Sequence, residues 1–235
     1  MKKRLINSPN YDNKFRSIKD IQFVIIHYTG MQSEIESIKR LKNPKSSVSC
    51  HYLIGRRGEI TQMIDEKKIA WHAGKSKWKN FSNLNKNSVG IELQNKGHNL
   101  GYEKFPNSQI NSLIKLSKSI KKRYKIKKEN FLGHSDIAPL RKKDPGEKFP
   151  WKKLSKLGIG KWYKIKKLNF NFSKKKSEKL FFKNLSQIGY RYFKILERSK
   201  NDKLVIRAFQ RKYNPKNVSG IIDLQTLKIS YFLLS

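Results

Sequence analysis

The chain has 235 residues, of which 37 % are hydrophobic and 11 % aromatic, which is enough for a packed core and excludes wholesale disorder. Its 54 lysines and arginines against 17 acidic residues give a formal net charge of +37. The single cysteine, Cys50, excludes an intramolecular disulfide framework and any zinc module built on two or four cysteines. No apolar run approaches the roughly 20 residues of a transmembrane helix.

The high net charge has two interpretations. A cationic surface favours acidic partners, with nucleic acid as the first candidate. Alternatively, lysine is simply the default surface residue, because it is spread along the whole chain while arginine is scarce. Nucleic-acid modules usually concentrate charge on one element, often with arginine, and only residues 115–128 approach such a stripe. Charge by itself does not decide between these interpretations.

The first predicted element is a buried strand over residues 23–26, a continuous apolar run that ends at His27. Ser33 and the glutamate three residues later are typical of a helix N-terminus. The helix that follows has Ile35, Ile38 and Leu41 on its predicted buried side.

Mixed elements continue to about residue 160. Residues 50–54 and 59–64 predict a hairpin. A later strand alternates aliphatic residues with glycine and Glu92, which places Glu92 on the opposite face. A helix with an aliphatic side is predicted after Pro106. We therefore expect an α/β domain over residues 1–160, with a mixed central sheet flanked by helices.

The composition changes after this domain. Residues 161–176 are basic, lack a clear period and are predicted to be a linker. Residues 177–235 predict a small all-α module of three helices. The first helix is expected to end at Gly189, and the third to begin at Asp223.

Histidine is rare in this chain, with five in all. His27 ends a predicted strand, His134 lies in a loop, and Asp144 follows ten residues after His134. Two histidines and one carboxylate form the ligand set of a catalytic zinc site whose fourth position is open to water. From spacing alone, a core histidine and an ordinary Asp-Pro-Gly turn are the favoured interpretation, because any chain offers some histidines and aspartates.

Five stretches, in order along the chain, resemble the zinc-dependent N-acetylmuramoyl-L-alanine amidases of the type-2 family. That family also includes peptidoglycan recognition proteins and phage amidase-type lysozymes. The stretches are residues 7–11 with 24–29, 48–54, 70–74, 87–92, and 133–139 with 142–146. The resemblance covers roughly residues 7–154 and implies hydrolysis of the amide bond between the lactyl group of N-acetylmuramic acid and L-alanine of the stem peptide.

The resemblance also implies roles for individual residues. His27, His134 and Asp144 would hold one Zn²⁺ per chain. Glu92 would be the catalytic carboxylate, which takes a proton from water and passes it to the leaving amine. Lys142 would place a positive charge beside the developing oxyanion. Its neighbour, lysine 143, is expected to face solvent.

The other histidines and the cysteine have separate expectations. His51 is expected to be a buried hydrogen-bonding residue, and Cys50 an inert buried thiol. Trp71 and His72 lie in a stretch that in the family is near the substrate groove, so His72 is either a substrate contact or a loop support. His98 is expected to have no specific role. The sequence contains no His-Glu-x-x-His motif, which excludes a thermolysin-like site.

The C-terminal module resembles the peptidoglycan-binding three-helix domain. The resemblance lies in residues 205–213 and 218–227, with the pattern Ala-Phe-Gln followed by Gly-x-x-Asp-x-x-Thr-Leu. Ala208, Phe209 and Leu227 are expected to be core residues whether or not the module binds. Tethering to a polymer would raise the local substrate concentration without new catalytic contacts.

Three functions follow, of which the amidase agrees best with the complete ligand set. The alternatives are a non-catalytic peptidoglycan-binding protein of the same fold and a charge-driven nucleic-acid binder. We expect peptidoglycan or muropeptides as partners and no specific nucleic acid. Intact wall and anhydro-muropeptides both remain open as substrates. The basic start lacks the apolar segment of a signal peptide, which favours the cytoplasm, whereas a wall-binding module favours the envelope.

Overall fold

The structure of the chain, a computed structural model, describes residues 3–167 and 173–235. The strands are β1 (Arg4–Leu5), β2 (Tyr11–Asp12), β3 (Phe23–Tyr28), β4 (Tyr52–Ile54), β5 (Ile60–Gln62), β6 (Ile69–Ala70), β7 (Lys77–Trp78), β8 (Phe81–Ser82), β9 (Ser88–Leu93) and β10 (Phe131–Gly133). The helices are α1 (Glu34–Lys42), α2 (Asn107–Tyr124), α3 (His134–Ile137), α4 (Trp151–Ser155), α5 (Lys174–Ile188), α6 (Asp202–Tyr213) and α7 (Leu224–Phe232). Helices therefore flank a strand-rich first part and make up all the regular structure that follows residue 173.

Six strands form the central sheet in the order β1-β5-β4-β9-β3-β10. Strands β4 and β5 pair antiparallel, which confirms the predicted hairpin with shorter strands than expected. All other neighbours in this sheet pair parallel. The predicted α/β architecture with a mixed central sheet is therefore confirmed. Because β9, β3 and β10 are parallel neighbours, their carboxyl ends lie at one edge of the sheet, the usual position of a ligand site in such sheets.

The two faces of the sheet differ along β3. Val24 and Ile26 belong to an apolar core that also includes the buried side of α2. The residues between them, Phe23 and Ile25, point to the other face because successive side chains of a strand alternate. His27 continues this second face beyond Ile25 and so lies at the end of an apolar column.

The C-terminal helices pack onto this second face. Phe23 and Ile25 share one hydrophobic cluster with Phe181 of α5 and Phe209 of α6. At the end of α5, Gly189 has a φ of +137° and lies so close to the Trp78 ring that an added Cβ would be 2.5 Å from it. Helices α5, α6 and α7 therefore complete a core that begins in the sheet.

The boundaries after residue 160 differ in part from the sequence expectation. Helix α5 begins at Lys174, inside the segment 161–176 that was predicted to be a linker. Residues 168–172 of that segment lie outside the described residues. Asp223 caps α7 as expected, since its side chain accepts a hydrogen bond from the backbone N–H of Thr226.

The predicted buried side of α1 is partly wrong. Leu41 is buried, but the Ile35 side chain is 68 % exposed. Ser37 is buried instead, and its hydroxyl donates to the carbonyl of Ser33. The helix has nine residues and covers only a small cluster around Leu41 and Leu53, so it buries a narrow stripe. Across residues 3–167 and 173–235, no helix combines the length and the apolarity needed to cross a bilayer.

Candidate active site

The strand ends bring together residues that are far apart in the sequence. His27 pairs in register with Glu92 across β3 and β9, so both side chains project from the same face of the sheet. On the other side of β3, Gly133 pairs with Ile26, and His134 follows directly as the first residue of α3. The parallel register therefore places His27 between a glutamate and a second histidine.

Three buried side chains converge at this edge. The Nδ1 atoms of His27 and His134 are 2.9 Å apart. Each lies 3.1 Å from Oδ2 of Asp144, which the loop after α3 brings to the same point. Burial and the neighbouring imidazole of His134 lower the pKa of His27 to about 4. Burial opposes ionisation of Asp144, but its interactions with the two neighbouring histidines outweigh burial and lower its pKa.

The outer hydrogen bonds assign the tautomers of both histidines. His134 Nε2 lies 3.1 Å from the carbonyl oxygen of Ala73, which can only accept. The nearby Nη2 of Arg141 already donates to the Ala73 and Lys75 carbonyls, so it has no hydrogen left for His134, and His134 Nε2 carries the proton. The Ser88 hydroxyl donates to the Leu84 carbonyl and therefore accepts from His72 Nε2. His72 Nδ1 is then free to accept from His27 Nε2, 3.0 Å away.

In these tautomers, the Nδ1 lone pairs of His27 and His134 both face a carboxylate oxygen of Asp144. Three lone pairs directed at one point repel one another unless a cation lies between them. Their mutual distances of 2.9, 3.1 and 3.1 Å approach the roughly 3.3 Å between donor atoms of a tetrahedral site with bonds of about 2.0–2.1 Å. The chemistry and spacing of the donors fit a metal ion, and these three residues form a candidate metal site.

Glu92 lies beside this cluster without belonging to it. Its Oε2 atom is buried and has no hydrogen-bond partner. Burial, reinforced by the negative charge of Asp144, raises the pKa of Glu92 to about 8, while Lys142 acts in the opposite direction. An unpaired carboxylate in this position is suited to proton exchange with a bound molecule.

A cavity of about 580 Å³ opens over these groups. Glu92 and Asp144 are the acidic residues in its wall, whereas the basic ones are Arg40, Arg141, Lys142 and Lys143. Lys142 is partly buried and close enough to lower the pKa of both His27 and Glu92. Lys143 is exposed, as expected, although it also borders the cavity.

Trp71 and His72, the two predicted substrate contacts, differ from each other in their surroundings. Trp71 lines the cavity, and its indole N–H donates to Asp12 at 2.7 Å. His72 also borders the cavity, but its ring nitrogens contact His27 and Ser88, which places it behind a candidate metal ligand. Such outer contacts fix the orientation and tautomer of a ligating histidine. A direct contact of His72 with substrate stays a prediction.

The remaining sequence expectations have mixed outcomes. His51 is buried, and its Nδ1 accepts from the backbone N–H of Gly90, as expected. Cys50 is fully buried, and burial raises its thiol pKa, which agrees with an inert thiol. His98 does have specific contacts, because Nδ1 faces the Tyr28 hydroxyl at 2.8 Å and Nε2 faces Glu147 at 3.1 Å.

Sequence reasoning missed Arg141. Its guanidinium donates to the backbone carbonyls of Ala73 and Lys75, and Nη2 lies 3.3 Å from His134 Nε2. Arg141 thereby fixes the loop whose Ala73 carbonyl accepts from His134. The only signal in the sequence is its position directly before Lys142, within the last motif.

Comparisons with known proteins agree with this geometry. The family described as N-acetylmuramoyl-L-alanine amidase (Amidase_2) matches residues 17–147. The chain belongs to this amidase family. It is also 35 % identical to the N-acetylmuramoyl-L-alanine amidase AmiD of Escherichia coli K12, over 91 % of this chain and 82 % of AmiD.

Two solved structures of family members superpose on nearly the whole chain. The complex of E. coli AmiD with anhydro-N-acetylmuramic acid-L-Ala-D-γ-Glu-L-Lys has a TM-score of 0.81 at 32 % identity, covering 96 % of this chain and 92 % of AmiD. The complex of Pseudomonas aeruginosa AmpDh3 with an anhydromuramic pentapeptide has a TM-score of 0.79 at 30 % identity, covering 97 % and 96 %. By contrast, the 1,6-anhydro-N-acetylmuramyl-L-alanine amidase AmpD of Haemophilus influenzae, 34 % identical, covers 64 % of this chain and 89 % of its own length.

Proposed function

We propose that this amidase hydrolyses the bond between the lactyl group of N-acetylmuramic acid and L-alanine of the stem peptide, with one Zn²⁺ held by His27, His134 and Asp144. The observation that carries the proposal is the convergence of three lone-pair donors at the base of a cavity that Glu92 and Lys142 also line. Imidazole nitrogens with one carboxylate are donors that zinc accepts, and three protein ligands leave a position for water. When bound, Zn²⁺ polarises the amide carbonyl and lowers the pKa of water to about 7.

Glu92 acts as the proton carrier. As a carboxylate it accepts the proton of the attacking water, and as a carboxylic acid it donates that proton to the nitrogen of the departing L-alanine. Burial raises the pKa of Glu92 and thereby favours the protonated form that the second step needs. A general acid–base residue of this kind contributes typically about 10²–10⁴-fold in rate.

Lys142 stabilises negative charge on the carbonyl oxygen. Its ammonium group is one of the basic groups in the cavity wall and acts on the pKa of Glu92 and His27. A fixed positive charge in a partly water-excluded cavity favours the tetrahedral species over the neutral amide. The same charge limits how far burial raises the pKa of Glu92.

The substrate class follows from the relatives and from the cavity. AmiD and AmpDh3 have each been crystallised with an anhydromuramoyl peptide. We propose muropeptides of this kind as substrates, with their stem carboxylates attracted by the basic wall of the cavity. Trp71 offers an aromatic surface at the cavity wall for a contact with the substrate.

We also propose that residues 177–235 bind peptidoglycan polymer. The support is the sequence pattern together with two exposed aliphatic side chains, Ile221 and Leu224, at the start of α7. Gln210 of the pattern is itself buried and holds the loop before α7 through the N–H of Gly220 and the Thr226 hydroxyl. Replacing Ile221 and Leu224 by serine is expected to reduce co-sedimentation of the protein with sacculi.

One experiment tests the catalytic proposal directly. The pure protein with one bound Zn²⁺ is incubated with soluble anhydro-muropeptides and, separately, with intact sacculi, and the products are identified by mass. Release of free stem peptide by the wild type, but not by Glu92→Ala, supports the proposal. No release from either substrate would leave a non-catalytic binding protein as the better interpretation. The relative rates on the two substrates identify the preferred one.

A further inference from the structure

Helix α6 of the C-terminal helices ends beside both loops that carry the candidate metal ligands. Its consecutive residues Arg211 and Lys212 face two acidic residues of the amidase part. Asp136, the partner of Lys212, comes two residues after His134, and Glu147, the partner of Arg211, comes three residues after Asp144. Two neighbouring basic residues of one helix therefore contact acidic residues next to two different ligands.

The contact of Lys212 is fully internal. Its side chain is 3 % exposed and that of Asp136 is 1 % exposed, and Nζ lies 2.7 Å from Oδ2. Nζ also donates to the carbonyl of Phe131 in β10 and lies 4.3 Å from the centre of the Trp151 ring. The lysine thus crosses from α6 into the amidase core, where its charge is compensated by a carboxylate and a carbonyl.

The Asp136 carboxylate connects this lysine to the start of α3. Its Oδ2 also accepts from the backbone N–H of Gly133, the residue directly before His134. Its Oδ1 accepts from the hydroxyl of Tyr190, which follows α5, at 2.6 Å. Two side chains from the C-terminal region therefore hold the carboxylate that caps α3, and α3 begins with His134.

The second contact is looser and lies on the other loop. Arg211 Nε is 3.7 Å from Glu147 Oε2, an oxygen that also contacts His98 Nε2 at 3.1 Å. The other ring nitrogen of His98, Nδ1, lies 2.8 Å from the hydroxyl of Tyr28, and Tyr28 directly follows His27 in β3. This chain of contacts connects the Asp144 loop to β3 and to α6.

A buried ion pair is a costly way to hold two parts of a protein together. Apolar residues of similar volume are often as stabilising or more so, because they avoid the desolvation of two charges. The ion pair instead fixes the orientation of the Asp136 carboxylate, because this carboxylate accepts hydrogen bonds from Gly133, Lys212 and Tyr190 in one arrangement. An arrangement of this kind is suited to fixing the orientation of the neighbouring ligand.

We propose that the C-terminal helices hold a metal ligand in place, with Lys212 and Tyr190 acting as positioning residues for His134 through Asp136. The inference rests on the proposed metal site. It gives the C-terminal region a role in metal affinity that is separate from any binding of polymer. Outer contacts of metal ligands typically change affinity by about 10–100-fold.

The test measures Zn²⁺ affinity in the full-length chain by competition with a chromophoric chelator, well below the unfolding temperature. Lys212→Met keeps the volume of the side chain and removes its charge, and it is expected to weaken Zn²⁺ binding about 10-fold or more. The visible spectrum of the Co²⁺-substituted protein is expected to shift, because the geometry of His134 changes. The double variant Lys212→Met with Asp136→Asn also removes the uncompensated charge, and it is expected to remain weakened, because the ion pair that orients α3 is still absent; recovery of wild-type affinity would contradict the positioning role.

Two control variants separate positioning from general stability. Lys183→Met removes an exposed charge on α5, and Ile229→Ala opens a cavity in the core of α7. Neither is expected to change Zn²⁺ affinity or the Co²⁺ spectrum of the folded protein. If Lys212→Met does not fold, Tyr190→Phe removes only one hydrogen bond and is expected to weaken Zn²⁺ binding to a smaller extent.

The outcomes distinguish this inference from the proposed function. A wild-type protein that binds no Zn²⁺ overturns the metal site itself. A wild type that binds, with Lys212→Met or Tyr190→Phe within about twofold of it, overturns the positioning role alone. The positioning role also fails if Ile229→Ala loses as much affinity as Lys212→Met, because the loss then reflects stability.

Discussion

The amidase part and the C-terminal helices contribute to one site in different ways. From the amidase part, His27, His134 and Glu92 present polar atoms to an open cavity at the carboxyl ends of parallel strands. From the C-terminal helices, Lys212 and Tyr190 present polar atoms to the back of the same site, where they are buried. In the proposed mechanism, the residues on the solvent side act through their chemistry and those on the core side through the position they impose.

Removal of a ligand tests the cavity side most severely. In His134→Ala, two donors remain, and we expect loss of stoichiometric Zn²⁺ and of all measurable stem-peptide release. Metal analysis after gel filtration, together with mass detection of products, checks this expectation. The fold is expected to persist, because His134 does not belong to the hydrophobic clusters that the described residues form. A variant that still retains one tightly bound Zn²⁺ would contradict the assignment of the ligands.

Substitution of the proton carrier separates chemistry from metal binding. Glu92→Gln keeps the shape of the side chain but cannot accept a proton, so we expect kcat to fall by about 10²–10⁴-fold while Zn²⁺ binding is kept. The measurement is kcat on an anhydro-muropeptide beside the metal content. A Glu92→Gln variant with wild-type kcat would remove Glu92 from the mechanism.

A core substitution in the C-terminal helices probes the shared core. Phe209→Ala is expected to lower the free energy of unfolding by about 3–5 kcal/mol, because the ring is fully buried. Because Phe209 and Phe23 belong to one hydrophobic cluster, both parts are expected to unfold in one transition. Denaturant titration followed by Trp fluorescence and by far-UV circular dichroism checks this. Two separate transitions would show that the two parts are independent.

Loss of the cavity lysine has a smaller expected effect. Lys142→Met removes the positive charge next to the carbonyl oxygen, and we expect kcat to fall by about 10²–10³-fold with little change in KM. Lys143→Met, on the exposed neighbour, is the matched control and is expected to stay close to wild type. Equal losses in both variants would indicate a general effect of charge rather than a specific role for Lys142.

The pH dependence of stability tests the buried histidine at the site. In the folded, zinc-free protein the pKa of His27 is about 4, against 6.5 when exposed, so the unfolded chain binds the proton more readily between these values. This contribution to stability is therefore present above pH 6.5 and lost as the pH falls to 4. Urea titrations of the zinc-free protein across this pH range measure it, and His27→Gln is expected to reduce the change.

The elements and site residues of the amidase part could be predicted from the sequence, because short stretches of neighbouring residues specify them. The apolar run before His27, the alternation that placed Glu92 opposite its aliphatic neighbours, and the motif around His134 each specify an element and the residue at its end. The prediction for Ile35 was wrong, because a short helix at the edge of a sheet buries only a narrow stripe and periodicity does not show which one. The contacts of His98, which was expected to have no specific role, and of Arg141, which was not considered, could not be predicted, because their partners lie far away in the sequence.

The sequence by itself determined the family, the α/β architecture and the residues of the candidate metal site, because each rests on a short motif or on the period of a strand. The tertiary structure decided that the Nδ1 atoms of His27 and His134, 107 positions apart, meet at 2.9 Å over Asp144. It also decided that Lys212, one basic residue among 54, is buried against Asp136. No local pattern marks such a lysine, since its role depends on a carboxylate 76 positions away that reaches it only when the two parts pack on a common core.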